Sequence, residues 1–87
     1  MLALRFDSKS YVVNYHQMNA DKKAAHIFKE ARLKKGLTQV EVAHNSGMHP
    51  NSYAKIERGD SLASPTSIKK LVKTLDIESS KIPYLLG

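Results

Sequence analysis

The chain has 87 residues and no cysteine, and its 14 Lys and Arg against 8 Asp and Glu give a net charge of +6 at pH 7. This length predicts one small domain, and the lack of cysteine excludes disulfides and thiolate metal sites. No run of about 18 apolar residues occurs, which excludes a membrane span, and the N-terminus has no apolar stretch long enough for a signal peptide. We therefore expect a cytoplasmic protein attracted to a polyanion: nucleic acid, an acidic membrane surface or an acidic partner.

Residues 1–18 differ in character from the rest of the chain. Two β-prone segments, 2–6 and 11–15, flank the polar stretch 7–10, which is a turn signal. An isolated two-stranded hairpin is marginal in water, so a hairpin here has to pack on the domain or on another chain. A flexible N-terminal arm is the alternative, and the sequence favours the hairpin and the arm equally. The domain itself is predicted over residues 19–87.

The first helix is predicted from the point where the apolar spacing becomes helical. Asn19 or Asp21 is its expected cap, and its last turn carries two lysines, where cations favour the negative end of the helix dipole. Gly36 is expected to end it in a left-handed conformation. Its apolar positions follow the 3, 4, 7 spacing of a helix face and are Ala24, Ile27, Phe28 and Ala31.

Two short helices are predicted next. Thr38 and Glu41 have the spacing of a capping box that opens a helix ending at Ser46-Gly47. Pro50 suits the first position of the following helix, because its missing amide hydrogen is not needed there. That helix runs from about Pro50 to Arg58 and stops at Gly59.

The C-terminal third predicts two more helices. Residues 60–64 form a polar loop, and Ser64-Pro65 begins a helix with an apolar stripe at Ile68, Leu71, Val72 and Leu75. A last short helix holds Ile82, Tyr84, Leu85 and Leu86. The predicted fold class is all-α, a compact bundle of about five short helices after the arm.

The second and third helices have the design of a helix-turn-helix with Gly47 in the turn. Such a pair lets one helix enter the major groove of DNA, which is about 12 Å wide, while the other crosses the phosphate backbone. Ala43 lies four residues before Gly47 and is small enough for a close approach of the two helices. The apolar positions expected to hold the pair together are Val42, Met48, Tyr53 and Ile56.

Several positions match one known family in register: Arg32, Gly36-Leu37-Thr38-Gln39, Val42-Ala43, Gly47-Met48 and Ile56-Glu57-Arg58-Gly59. With them the chain resembles the phage-repressor-like helix-turn-helix proteins related to lambda repressor and Cro, the XRE type, over about residues 24–86. The resemblance implies sequence-specific binding of double-stranded DNA by a homodimer that regulates transcription, as a repressor.

The resemblance also implies roles for individual residues. Gln39, beside Thr38 at the start of the second helix, corresponds to a phosphate contact, and Arg58 to a backbone contact. Arg32 and Glu57 correspond to an internal ion pair with a structural role. The residues that correspond to base and flanking phosphate contacts are His49, Pro50, Asn51, Ser52 and Lys55.

Two departures from the family pattern concern the third helix, the recognition helix that would enter the major groove. Pro50 stands where relatives often have a long polar side chain, and it offers only an apolar surface. Tyr53 replaces a smaller aliphatic core residue, so local packing is expected to differ. Base preference therefore does not follow from this sequence.

Two other functions are compatible with these residues. An antitoxin or restriction-modification controller also binds DNA, and an antitoxin adds a toxin as partner; an adaptor keeps the fold without specific DNA binding. The four histidines lack the spacing of a zinc site, and no catalytic motif appears, so neither a metal, a cofactor nor an enzyme activity is expected.

Two surfaces are candidates for the dimer contact: the arm and the apolar cluster Tyr84, Leu85 and Leu86.

Overall fold

The computed structural model describes residues 20–85, with side chains from residue 22 onward, so the predicted arm over residues 1–18 lies outside the described residues. Within residues 20–85 the chain forms α-helices and no strand, which confirms the all-α prediction. The helices are α1 (Ala20–Lys35), α2 (Gln39–Asn45), α3 (Pro50–Arg58), α4 (Pro65–Leu75) and α5 (Ile82–Leu85), with a 3-10 turn over Ser79–Lys81. None of the helices in this stretch has the length and apolar character needed to cross a membrane.

The ends of the helices are set by local hydrogen bonds. At α2 the Thr38 hydroxyl accepts from the Glu41 amide at 3.1 Å, and the Glu41 carboxylate accepts from the Thr38 amide at 2.8 Å. This is the predicted capping box, which satisfies two amides that have no partner inside the helix. The Ser64 hydroxyl accepts from the Ser67 amide at 3.2 Å and begins α4 in a similar way.

The core receives large side chains from every helix. Its apolar centre excludes water almost completely, and burial of this kind is the main source of stability for a chain without disulfides. Ala43 is also fully buried, so its small side chain permits the close packing of α2 that was predicted. The largest fully buried side chains are Phe28, Val42, Tyr53, Leu71 and Leu85.

The C-terminal helix α5 belongs to this core, which corrects one expectation. Leu85 was included in one of the two candidate dimer surfaces as an exposed apolar residue, but its relative exposure is 0%. Tyr84 is half-buried against the core and its ring lies 5.9 Å from the Lys23 ammonium, while Leu86 falls outside the described residues. The expectation failed because α5 packs on α1, a long-range contact that no local pattern reveals.

We expect Leu85→Ala to lower the free energy of unfolding by about 2–5 kcal/mol, because it removes buried methyl groups and leaves a cavity. The matched control is Leu33→Ala, since Leu33 is 58% exposed on α1 and should change stability by no more than about 0.5 kcal/mol. Urea denaturation followed by circular dichroism measures both. Equal small effects would contradict the placement of α5 in the core.

Candidate nucleic-acid interface

The turn between α2 and α3 is tight and left-handed. Gly47 has φ +68°, a conformation that favours glycine because side chains with a Cβ are strained there. The Met48 amide donates to the Ala43 carbonyl at 2.9 Å and closes the end of α2. The chain therefore leaves α2 in one defined direction, and α3 begins after two further residues, Met48 and His49.

A buried serine fastens this turn to α4. Ser46 is 3% exposed, and its hydroxyl donates to the Thr74 hydroxyl at 3.0 Å. A buried hydroxyl needs such a partner to offset the loss of water. This contact was not predicted from the sequence, because the two residues are 28 positions apart and neither has a distinctive local pattern. It fixes the turn, and with it the start of α3, relative to the rest of the bundle.

The side chain of His49 caps α3. Its Nδ1 accepts a hydrogen bond from the Asn51 amide at 3.1 Å, with Pro50 at the first helical position. Histidine thus takes the part that serine, threonine, aspartate or asparagine more often has at this position. His49 is exposed and Pro50 is half-exposed at this end of the helix.

Helix α3 has two distinct faces. Tyr53, Ile56 and Glu57 are buried. Residues in a helix are separated by about 100°, so positions 51, 55 and 58 share the opposite side, with position 52 at its edge. The side chains on this exposed face, called here the recognition face, are Asn51, Ser52, Lys55 and Arg58.

An ion pair fixes the buried face of α3 to α1. The Arg32 guanidinium donates from Nε to Glu57 Oε2 and from Nη2 to Glu57 Oε1, both at 2.8 Å. Its Nη1 donates to the Leu37 carbonyl at 2.9 Å. Two parallel hydrogen bonds hold the two side chains in one orientation. Arg32 and Glu57 therefore form the pair that the family resemblance implies, and Arg32 also holds the loop before α2.

Gln39 joins this pair. Its Nε2 donates to Glu57 Oε1 at 3.0 Å, and the side chain is only partly exposed at the start of α2. The family resemblance implies a phosphate contact for Gln39, and no local pattern indicates its bond to Glu57, because the two residues are 18 positions apart. Gln39, Arg32 and Glu57, called here the Glu57 network, thus connect α1, α2 and α3.

The electrostatics of the Glu57 network follow from its burial. Burial alone would raise the pKa of Glu57, but the hydrogen bonds from Arg32 and Gln39, with the charge of Arg32, outweigh it and lower the pKa below its ordinary value. The hydrogen bond with Glu57 likewise raises the pKa of Arg32. Burial, with the adjacent Glu57 carboxylate, raises the pKa of Tyr53. At neutral pH the network is therefore a charged pair beside a neutral phenol.

Two cationic side chains, Lys22 and Arg58, lie at the C-terminal end of α3. The Lys22 ammonium donates to the Arg58 carbonyl at 3.0 Å, and the Arg58 Nε donates to Asp60 Oδ2 at 2.9 Å. The hydrogen bond from Arg58 lowers the pKa of Asp60, and the charges of Lys22 and Lys55 lower it further. Lys22 was missed by sequence reasoning, because it lies at the far end of α1 and outside the helix-turn-helix.

The predicted DNA-contact residues differ in how free their side chains are to bind DNA. His49, Asn51, Ser52 and Lys55 lie exposed at one end and along one face of α3. Thr38 is exposed but its hydroxyl is already used in the capping box, and Arg58 is engaged with Asp60. Among residues 22–85, no three His, Asp or Glu side chains come together in a way that would hold a metal ion.

Comparison with known proteins gives a family and a fold. The family described as "Helix-turn-helix" matches residues 28–82. Similar solved structures include two of the restriction-modification controller protein C.Esp1396I. The wild-type protein has a TM-score of 0.68 at 24% identity, covering 79% of this chain and 90% of that chain. The tetramer in complex with its natural 35 base-pair operator has a TM-score of 0.66 at 24% identity, covering 80% and 99%. No curated protein matches the sequence.

We expect Glu57→Gln to lower the free energy of unfolding by about 3 kcal/mol, because it leaves the Arg32 guanidinium buried without its counter-charge. Asp60→Asn makes the same chemical change in the exposed pair with Arg58 and should have a much smaller effect. Chemical denaturation at neutral pH compares the two variants. Similar stability losses would mean that the Glu57 network does not hold α3.

The lowered pKa of Glu57 also gives a dependence of stability on pH. A carboxyl with a lower pKa in the folded state stabilises it fully above the ordinary value of 4.5, and this contribution is lost as the pH falls through the folded-state pKa. We therefore expect the difference in melting temperature between the wild type and Glu57→Gln to shrink as the pH is lowered from 7 to about 3. A difference that stays constant over this range would contradict a charged Glu57.

Proposed function

Because the chain belongs to the helix-turn-helix family, we propose that it binds double-stranded DNA sequence-specifically and regulates transcription, as a repressor. The observation that supports this most strongly is the recognition face of α3. Polar side chains are exposed there, opposite a buried face that the Glu57 network fixes to the bundle. A helix held in this way has the shape and the donors and acceptors that the major groove accommodates.

The recognition face supplies the proposed base contacts. The Asn51 carboxamide is suited to a bidentate hydrogen bond with adenine, and Lys55 to guanine or a phosphate. Pro50, half-exposed at the start of α3, offers an apolar surface to a thymine methyl group. Sequence preference would then depend chiefly on the first two turns of α3.

The proposed phosphate contacts lie on both sides of this face. Gln39 is held by Glu57 through one amide hydrogen, which leaves the second for a phosphate oxygen and fixes where that hydrogen points. Thr38, the cap residue of α2, and Arg58, at the C-terminal end of the recognition face, are the other two proposed phosphate contacts. The net charge of +6 adds a long-range attraction that weakens with salt.

We further propose that the protein binds as a homodimer in the cytoplasm, where its DNA would be found. One recognition helix contacts only a few base pairs, and two of them related by a two-fold axis suit half-sites about 34 Å apart. C.Esp1396I, which has a similar fold, forms a tetramer on its operator. The proposed activity is binding alone, without catalysis.

A restriction-modification controller is the second candidate, favoured by the similarity in fold to C.Esp1396I. Such a protein would bind an operator next to its own gene and regulate a nuclease. An antitoxin would do the same beside a toxin gene and would also bind the toxin. Once the operator is identified, the genes adjacent to it distinguish a repressor of other genes, a restriction-modification controller and an antitoxin.

Selection from a random duplex DNA pool with the full-length protein, at roughly physiological salt, tests the proposed function. We expect recovery of a palindrome with half-sites about one helical turn apart. On that operator Asn51→Ala should cost about 1–3 kcal/mol of binding free energy and leave binding to unrelated DNA unchanged. Lys55→Met should weaken binding to both and reduce the salt dependence.

The opposite outcome is a pool that stays random while binding collapses with added salt. In that case only the basic surface attracts DNA, and an adaptor function would replace the proposed one. Binding of Asn51→Ala to the operator with unchanged affinity would place the base contacts elsewhere than on α3.

A further inference from the structure

The capping bond of His49 determines which of its ring nitrogens carries hydrogen. Nδ1 accepts from the Asn51 amide at 3.1 Å, and a ring nitrogen that accepts a hydrogen bond has no hydrogen of its own. The neutral imidazole therefore carries its single hydrogen on Nε2. A serine in the same place would differ, because a hydroxyl both donates and accepts.

The Nε2–H group is available to donate a hydrogen bond to a ligand. His49 is exposed and lies directly before Asn51 and Ser52 of the recognition face. Among the described residues no acceptor is bonded to Nε2. The ring thus spans from the α3 backbone, through Nδ1, to solvent beside the residues proposed to contact DNA.

We propose that His49 is a donor-only contact and discriminates between DNA atoms; the inference rests on the proposed function. Its Nε2–H pairs with an acceptor, either a phosphate oxygen or the N7 of a purine in the major groove. The amino groups of cytosine and adenine are donors, and Nε2–H repels them. His49 therefore restricts the base or the backbone position that lies against the start of α3.

The tautomer is measured first, on the free protein. Two-bond ¹H–¹⁵N correlation spectra at alkaline pH distinguish a protonated from an unprotonated ring nitrogen. We expect His49 to show a protonated Nε2 and an unprotonated Nδ1. A protonated Nδ1, or two tautomers in comparable amounts, overturns the inference without any bearing on DNA binding.

Two variants separate the cap from the donor. His49→Ser keeps a favoured cap residue but has no group that reaches the Nε2 position. It should melt close to wild type and bind the selected operator about tenfold more weakly. His49→Gln carries an amide near the Nε2 position but loses the cap. It should melt about 4–8 °C lower and bind more tightly than His49→Ser.

Modified DNA identifies the acceptor. Operators with a methylphosphonate at single phosphates, or with 7-deazapurines at single bases, are compared for wild type and His49→Ser. One modification should weaken wild type about tenfold and leave His49→Ser unaffected; a methylphosphonate assigns a phosphate and a 7-deazapurine assigns a base. If every modification affects both proteins equally, or His49→Ser binds like wild type, His49 makes no donor contact. If selection yields no operator, the proposed function itself fails, whereas the tautomer is still measured.

Discussion

The bidentate bond between Arg32 and Glu57 is the interaction on which the geometry of the proposed interface depends. It connects α1 to the buried face of α3, and the same two side chains hold the loop carbonyl of Leu37 and the amide of Gln39. Burying two charges has a large desolvation cost that good geometry and extra hydrogen bonds offset. Here four hydrogen bonds provide that offset, so the stability of the fold and the orientation of the recognition helix are coupled.

A second set of contacts fixes the same helix at its two ends. Ser46 bonds to Thr74 just before α3 begins, and Lys22 bonds to the Arg58 carbonyl where it ends. These contacts come from α4 and from the start of α1, far from α3 in sequence. Helix α3 has only nine residues, too few to be stable alone in water. Its exposed polar face is therefore possible only because the rest of the bundle holds it.

The sequence predicted those features that depend on neighbouring residues. The capping box of Thr38 and Glu41, Pro50 at the start of α3 and Ser64 at the start of α4 each act within about one helical turn. The family resemblance added the pairing of Arg32 with Glu57, which spacing alone does not give. The bonds of Gln39, Ser46 and Lys22 join residues 18 to 36 positions apart, and no local pattern indicates them. Leu85 was placed wrongly for the same reason, because its burial depends on α1.

In the proposed complex the exposed face of α3 contacts the bases while the Glu57 network holds its other face. A titration of ¹³C,¹⁵N-labelled protein with operator duplex, followed by intermolecular NOEs in the complex, tests this arrangement. We expect NOEs from Asn51, Ser52 and Lys55 to base protons of the major groove, with unchanged signals for the buried Tyr53 and Glu57 side chains. NOEs confined to another face, or a rearranged Glu57 network in the complex, would contradict it.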